Sequence, residues 1–391
     1  MSRRPPLGFI FAVTLTGILN NTLITPALPD ILTDLGVPSE RSGILVASGS
    51  TAGIVMAPVV GILADRFGRR LVLTVCLALF GTFGGVAALA PSFTVLLVAR
   101  FIQGFGSAGL VNLAIVLIGD HWSGTERTRI VGRNSAVLTV GLAAIPSMSG
   151  VLTEAFGWRV AFAVFTVALL TAGVAWTILD GRRPADPPRV RDQVAAAATA
   201  IRNPVILATV VASLLVFVAI FGVMLTAFPI HLADEFGLGA AARGLVISIP
   251  AVTSTIAAFN LARIRSVLSP RRIVGVGAAT FALAFVLLGV AGALAVVIAA
   301  ALLFGAAEGS LIPTLQDLNV EAAPDEHRGA VVAVWVGAAR LGQTVGPLMA
   351  GVGLALVGSG PTLVIGSGVA LALLVVAVVG PLPRGTQASV R

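Results

Sequence analysis

Twelve runs of mostly apolar residues divide this chain, each close to the roughly 20 residues a helix needs to cross bilayer hydrocarbon. Bounded by charges, proline or glycine, they fall near residues 7–28, 43–63, 71–90, 94–118, 130–152, 158–179, 204–229, 243–262, 273–291, 294–316, 329–353 and 361–380. Backbone amides inside a bilayer have no water to bond, so runs of this length are predicted as helices. Composition closes off the soluble alternative. Of 391 residues, 57% are hydrophobic and 11% charged, against about 25% charged in soluble domains. A mean hydropathy of +1.02 says the same. The basic balance, net +8 with no lysine and no tyrosine, raises the isoelectric point to about 11.5 through arginine alone, and no nucleic-acid partner is read from it. One cysteine, Cys76, excludes an intramolecular disulfide and a cysteine metal cluster; no metal and no cofactor is expected.

The first run follows Ser2, Arg3 and Arg4 but has no small-residue cleavage site before the polar stretch near Asp30, so it reads as the first helix rather than a signal peptide. Arginine in loops marks the cytoplasmic side. With both termini cytoplasmic, 20 arginines lie inside and three outside (Arg41, Arg159, Arg243), leaving Arg100 and Arg340 within helices. The protein is accordingly expected in the cell (inner) membrane.

Two halves align without a gap at an offset of 201 residues: Asp34, Gly36 and Gly43 fall on Glu235, Gly237 and Gly244; Gly104 falls on Gly305; Arg127, Gly141, Pro146 and Gly150 fall on Arg328, Gly342, Pro347 and Gly351. Two pseudo-symmetric six-helix bundles are the predicted arrangement, residues 1–180 and 204–391. A Pro- and Arg-rich cytoplasmic linker, 181–203, joins them, with a short helix possible at 193–201. Parallel repeats of this kind build secondary transporters, with the site near the midplane and rocking as the transport motion.

Between helices 2 and 3 lies Gly61-Ile-Leu-Ala-Asp65-Arg66-Phe-Gly68-Arg69-Arg70. Small Gly61 is expected to allow close backbone approach, Gly68 a tight turn, and Asp65 charge-assisted pairs with its arginines that rocking would break. With this loop the chain resembles the major facilitator superfamily, whose signature Gly-x-Leu-x-Asp-Arg-x-Gly-Arg-Arg/Lys it matches at every defined position. Within that family it is similar to the twelve-helix drug:proton antiporters (the multidrug and arabinose efflux-like group). The equivalent loop in the second half, 262–272, keeps basic charge but lacks the acid and both glycines, which implies a one-sided latch.

Helix 4 carries Arg100-Phe-Ile-Gln103-Gly104-Phe-Gly106, similar to the family's Arg-x-x-Gln-Gly-x-Gly element, which the resemblance associates with proton coupling. An arginine inside a spanning helix costs at least about 2.5–3.5 kcal/mol, so it should face a cavity or a partner. Helix 5 has Gly141-Leu-Ala-Ala-Ile145-Pro146-Ser-Met-Ser149-Gly150, similar to the antiporter signature Gly-x-x-x-Gly-Pro-x-x-Gly-Gly but with Ile145 and Ser149 in place of glycines. Its counterpart Gly342-Gln-Thr-Val-Gly346-Pro347-Leu-Met-Ala350-Gly351 is the better copy. Packing and bending account for both segments.

Glu308 is the one acid placed well inside a predicted helix, and its depth is close enough to that of Arg340 for the two side chains to meet. A switch is expected, with Glu308 held ionised by Arg340 in one conformer and protonated in the other; a permanent structural pair is the competing reading. Asn20 and Asn21 occupy the middle of helix 1, where many drug-efflux members carry an acid. With Gln103 and Gln343 they are the expected substrate contacts. An enzyme is not expected: the three histidines sit at predicted helix ends or loops, and neither a triad nor metal-ligand spacing occurs inside the helices. An ATP-driven pump would need a phosphate-binding Gly-x-x-x-x-Gly-Lys-Ser/Thr loop, which is missing. The expected function is proton-coupled efflux of small lipophilic compounds or drugs by alternating access, by a monomer whose partners are its substrate, protons and the lipid bilayer. Uptake or facilitated movement of a small organic solute is the alternative.

Overall fold

The computed structural model describes residues 4–181, 198–199, 201–323, 328–383 and 385, with no strand among them. Among the described residues eleven helices are long and apolar enough to cross a membrane: α1 Leu7–Asp34, α3 Arg69–Ala88, α4 Phe93–His121, α5 Gly124–Phe156, α6 Trp158–Ile178, α7 Pro204–Asp234, α8 Ala240–Phe259, α9 Pro270–Val290, α10 Leu294–Glu321, α11 Arg328–Val357 and α12 Ser359–Val379. A bent helix, α2 (Ser42–Phe67), makes a twelfth. The expected linker helix at 193–201 falls largely outside the described residues, as does His327.

Local chemistry sets the ends. Asn203 and Ser269 accept from the amides of Val205 (2.9 Å) and Arg272 (3.4 Å), capping α7 and α9, each with proline at the first helical position. Single glycines close the tightest turns, and they repeat at the sequence offset: Gly157 and Gly358 have φ of 83° and 82°, Gly36 and Gly237 of 62° and 59°. Side chains rarely tolerate these values, so the repeat is written in the backbone. Two helices are irregular at matching places. In α1 the regular helix stops at Thr22, and a 3-10 turn at Thr25–Ala27 precedes Leu28–Asp34. In α7 a π-helical stretch, Ala219–Ala227, covers positions equivalent to 18–26.

The chain forms two compact units, one from Met1–Val37, Ser48–Val190 and Gly239–Gly244, the other from Pro38–Ala47, Arg191–Leu238 and Leu245–Arg391. In unit 1 the core centres on Phe80, Phe162 and Phe165, packed edge to face at 5.3–5.4 Å. In unit 2 Phe281 stacks on Phe304 at 4.6 Å, with Phe285 beside them. Large apolar side chains also point outward, Leu170 and Leu356 being 73% and 77% exposed. Water would penalise that surface; lipid does not.

Candidate functional site

The buried polar residues of unit 1 converge on Arg100. Its side chain is fully buried on α4, donating from Nη1 to Gln103 Oε1 (2.6 Å) and from Nη2 to the Asn20 carbonyl (2.7 Å). The Phe165 ring covers it at 5.6 Å. Gly49 makes the room, since a β-carbon there would lie 2.9 Å from Arg100 Cζ. Asn20 Nδ2 donates to the Gly49 carbonyl (3.1 Å) and Asn21 Nδ2 to Ser50 Oγ (3.2 Å), fastening α1 to α2. Among the described residues no carboxylate pairs with Arg100. Four buried polar atoms here have no hydrogen-bond partner: Arg100 Nε, Gln103 Nε2, Asn20 Oδ1 and Asn21 Oδ1. Burying such groups unsatisfied costs about 1–3 kcal/mol each, and a cluster of them is uncommon in a packed interior. The equivalent positions of the second half are Ala301 and Phe304, so apolar packing replaces the polar centre there.

Of the three residues expected to carry coupling, Arg100 lies in unit 1 and Glu308 and Arg340 in unit 2. Glu308, partly exposed on α10, is hydrogen-bonded to the side chain of Ser254 on α8. Arg340 on α11 donates to Gln343 Oε1 at 3.1 Å. No ion pair joins Glu308 to Arg340 in this conformation, among the described residues. Sequence offered no reason to pick out Ser254. Trp335 was equally silent: its indole nitrogen is buried without a partner, and Phe217 packs edge to face on it at 6.0 Å.

At the arginine-rich ends, Arg69 bridges Asp65 (2.5 Å) and Asp120 on α4 (3.1 Å). Arg70 lies over the Trp176 ring at 4.1 Å and Arg66 beside Phe67 at 6.0 Å. Gly68 has φ 90°, the tight turn expected. Gly61, in contrast, makes no close approach: a β-carbon there would meet nothing within 4 Å. The one-sided latch is also overturned. Arg265, in the short helix Leu261–Val267, pairs with Asp317 of α10 at 2.7 Å and bonds the Pro313 carbonyl, so the second half draws its acid from another helix.

The glycine-proline segments pack tightly within their units. A β-carbon on Gly141 would strike Ile18 at 2.5 Å; on Gly342, the Leu214 carbonyl at 2.7 Å; on Gly346, the Val218 carbonyl at 2.5 Å. Ser149, standing where the signature has glycine, donates to the Leu23 carbonyl at the break in α1. Pro146 and Gly150 face Gly244, and Pro347 and Gly351 face Gly43.

Two residues near predicted helix ends, Arg243 and His231, are buried. Arg243, counted among the outer-loop arginines, is 4% exposed and holds Asp30 and the Pro26 carbonyl. His231, read as a helix-end residue, is 3% exposed, with Nδ1 3.1 Å from Ser359 Oγ. Neither contact is visible in sequence, because each joins residues more than 120 positions apart.

Comparison with known proteins agrees with this architecture. The Major Facilitator Superfamily profile matches residues 10–230 and 213–390. The hexuronate transporter of Bacillus subtilis is 26% identical over 258 residues, 63% of this chain and 60% of that protein. Quinolone resistance protein NorA of Staphylococcus aureus is 32% identical over 133 residues, 34% of each chain. The match thus spans less than two thirds of either relative. A bacterial homolog of the human lysosomal transporter Spinster, in an inward-facing, unoccupied crystal structure, superposes with a TM-score of 0.77 at 16% identity, covering 95% of this chain and 94% of that one.

Proposed function

This chain belongs to the Major Facilitator Superfamily, a multi-pass membrane transporter rather than an enzyme, and from that premise we propose that it exports small lipophilic compounds by alternating access in exchange for protons. In this reading the two six-helix halves, 1–180 and 204–391, rock about the midplane as a monomer in the cell membrane, with both termini and the linker 181–203 cytoplasmic. Asn20, Asn21, Gln103 and Gln343 offer amides to the substrate. Arg100, Glu308 and Arg340 carry the coupling.

One observation supports the proton cycle most directly: Glu308 is partly exposed and held by the Ser254 hydroxyl, not by a cation, while Arg340 bonds Gln343. A carboxyl beside a hydroxyl can be satisfied with or without its proton, since the hydroxyl both donates and accepts. Movement of α11 that brings Arg340 to Glu308 would favour the ionised form and expel the proton. The relative named bacillibactin exporter, of Bacillus subtilis, and the one named quinolone resistance protein NorA, of Staphylococcus aureus, accord with the outward direction.

Uptake of a small organic anion is the second reading. Arg100 has no carboxylate partner among the described residues, and the relative named a hexuronate transporter matches over the longer stretch. Everted vesicles with an acid interior separate the two. Substrate-triggered proton release from a panel of dyes, antimicrobials and aromatic acids, lost in Glu308→Gln, is expected of the exporter. Downhill movement of an organic acid without proton release, unchanged in Glu308→Gln, overturns it in favour of the second reading.

A further inference from the structure

Beside the first turn of α9 an open groove of about 480 Å³ runs between α9 and α12. Arg271, Arg272, Gly275 and Val276 line it from α9, and Ala377 and Val378 from α12. The backbone at its mouth is already satisfied: Ser269 caps the Arg272 amide, and the Arg271 amide donates to the Pro383 carbonyl at 3.3 Å. The two guanidinium groups make no hydrogen bond or ion pair with any described residue. Of the two acids at this end of α10, Asp317 is occupied by Arg265, and Glu321 makes no ion pair with Arg271 or Arg272.

Below the arginines the wall is apolar and faces outward, Val276 and Val378 being 59% and 57% exposed. Gly275 keeps the groove open. A β-carbon there would stand at ordinary contact distance from Leu374 (3.8 Å) and Ala377 (3.9 Å), so anything longer would enter the space. Two unpaired cations above an outward apolar wall at the end of a membrane helix fit a ligand with a negative head and a hydrocarbon tail. A free phosphate would leave the wall unused. A zwitterionic headgroup would bring an ammonium that meets no carboxylate among the lining residues.

We propose that this groove binds an anionic phospholipid, its phosphate between Arg271 and Arg272 and one acyl chain along Val276 and Val378. The site lies within unit 2 and is independent of transport direction and proton coupling.

Native mass spectrometry of the delipidated, purified protein tests this, with phosphatidylglycerol, phosphatidylcholine or inorganic phosphate added in turn. Two variants are compared with wild type: Arg271→Gln with Arg272→Gln, which removes both charges, and Gly275→Phe, which fills the groove and keeps them. Phosphatidylglycerol is expected to bind wild type about tenfold or more tighter than either variant, as two cations near a lipid surface imply, with phosphatidylcholine and phosphate weak on all three. Equal retention of phosphatidylglycerol by wild type and both variants overturns the proposal. So does equal binding of phosphatidylcholine, or saturation by inorganic phosphate alone. Arg271→Lys with Arg272→Lys, retaining charge, guards against misfolding: it is expected to hold the lipid within a few-fold of wild type.

Discussion

Gly244 lies so close to Pro146 that a β-carbon at 244 would stand 2.5 Å from the proline's carbonyl oxygen, and Gly43 repeats that contact against Pro347. The two glycines, and likewise the two prolines, are related by the offset of 201 residues, so one packing device serves both units. Proline leaves the carbonyl four residues before it without its usual helical donor, and the helix bends most easily there. Facing glycines let a second helix follow that bend at backbone distance.

Gly244→Ala should therefore destabilise the protein by about 1–3 kcal/mol, because the added methyl meets backbone rather than a movable side chain. Gly61→Ala meets nothing within 4 Å and should be neutral or stabilising by up to about 1 kcal/mol. Thermal unfolding of the two variants in detergent, followed by size exclusion, checks the contrast; equal melting temperatures would sink it.

Arg243 is buried and pairs with Asp30, itself 41% exposed at the side chain, while also bonding the Pro26 carbonyl. Asp30→Asn and Arg243→Gln should each lower stability, Arg243→Gln the more, since it leaves the Pro26 carbonyl without its donor. The exchanged pair, Asp30→Arg with Arg243→Asp, should recover only part of the loss, because an aspartate at 243 cannot donate to that carbonyl. Full recovery would assign the whole effect to charge.

Arg100→Lys is expected to abolish transport although charge is kept. The ammonium lacks the planar fork that reaches Gln103 Oε1 and the Asn20 carbonyl together. Gln103→Leu should cost about 1.5–3 kcal/mol of stability, the value of a hydrogen bond to a charged group. Wild-type uptake or efflux rates in Arg100→Lys would show that charge alone suffices.

A double-mutant cycle on Arg265 and Asp317 should yield a coupling energy of about 0.5–3 kcal/mol, as for contacting charged pairs with one partner buried. The pair Arg4 and Glu126, 60% and 53% exposed, should give under about 1 kcal/mol. Chemical denaturation of the four variants in each cycle measures both. Coupling near zero for Arg265 and Asp317 would return the second half to a loop without a latch.

Part of the geometry of the candidate site is legible in the sequence. Arg100 and Gln103 stand three residues apart on one helix, so their contact follows from helical spacing alone. Asn20 and Asn21 stood out as polar residues in an apolar run, and both are buried. Ser254 gave no such signal, being one small polar residue among several in α8, and only the packing of α8 against α10 brings it to Glu308. Arg265 misled in the other direction, because a loop without its own acid reads as a loop without a pair.

What the sequence determined by itself was the number, length and apolar character of the spans, and the repeat that relates them. Those properties are local: an apolar run in lipid must bond its own backbone, and a positive-φ turn needs glycine wherever it falls. The tertiary structure alone decided which charge meets which acceptor. Asp30 with Arg243, Asp317 with Arg265 and Ser254 with Glu308 join residues that are remote in sequence. A side-chain contact of a few ångströms is fixed by how helices cross and bend, which no periodicity within one helix records.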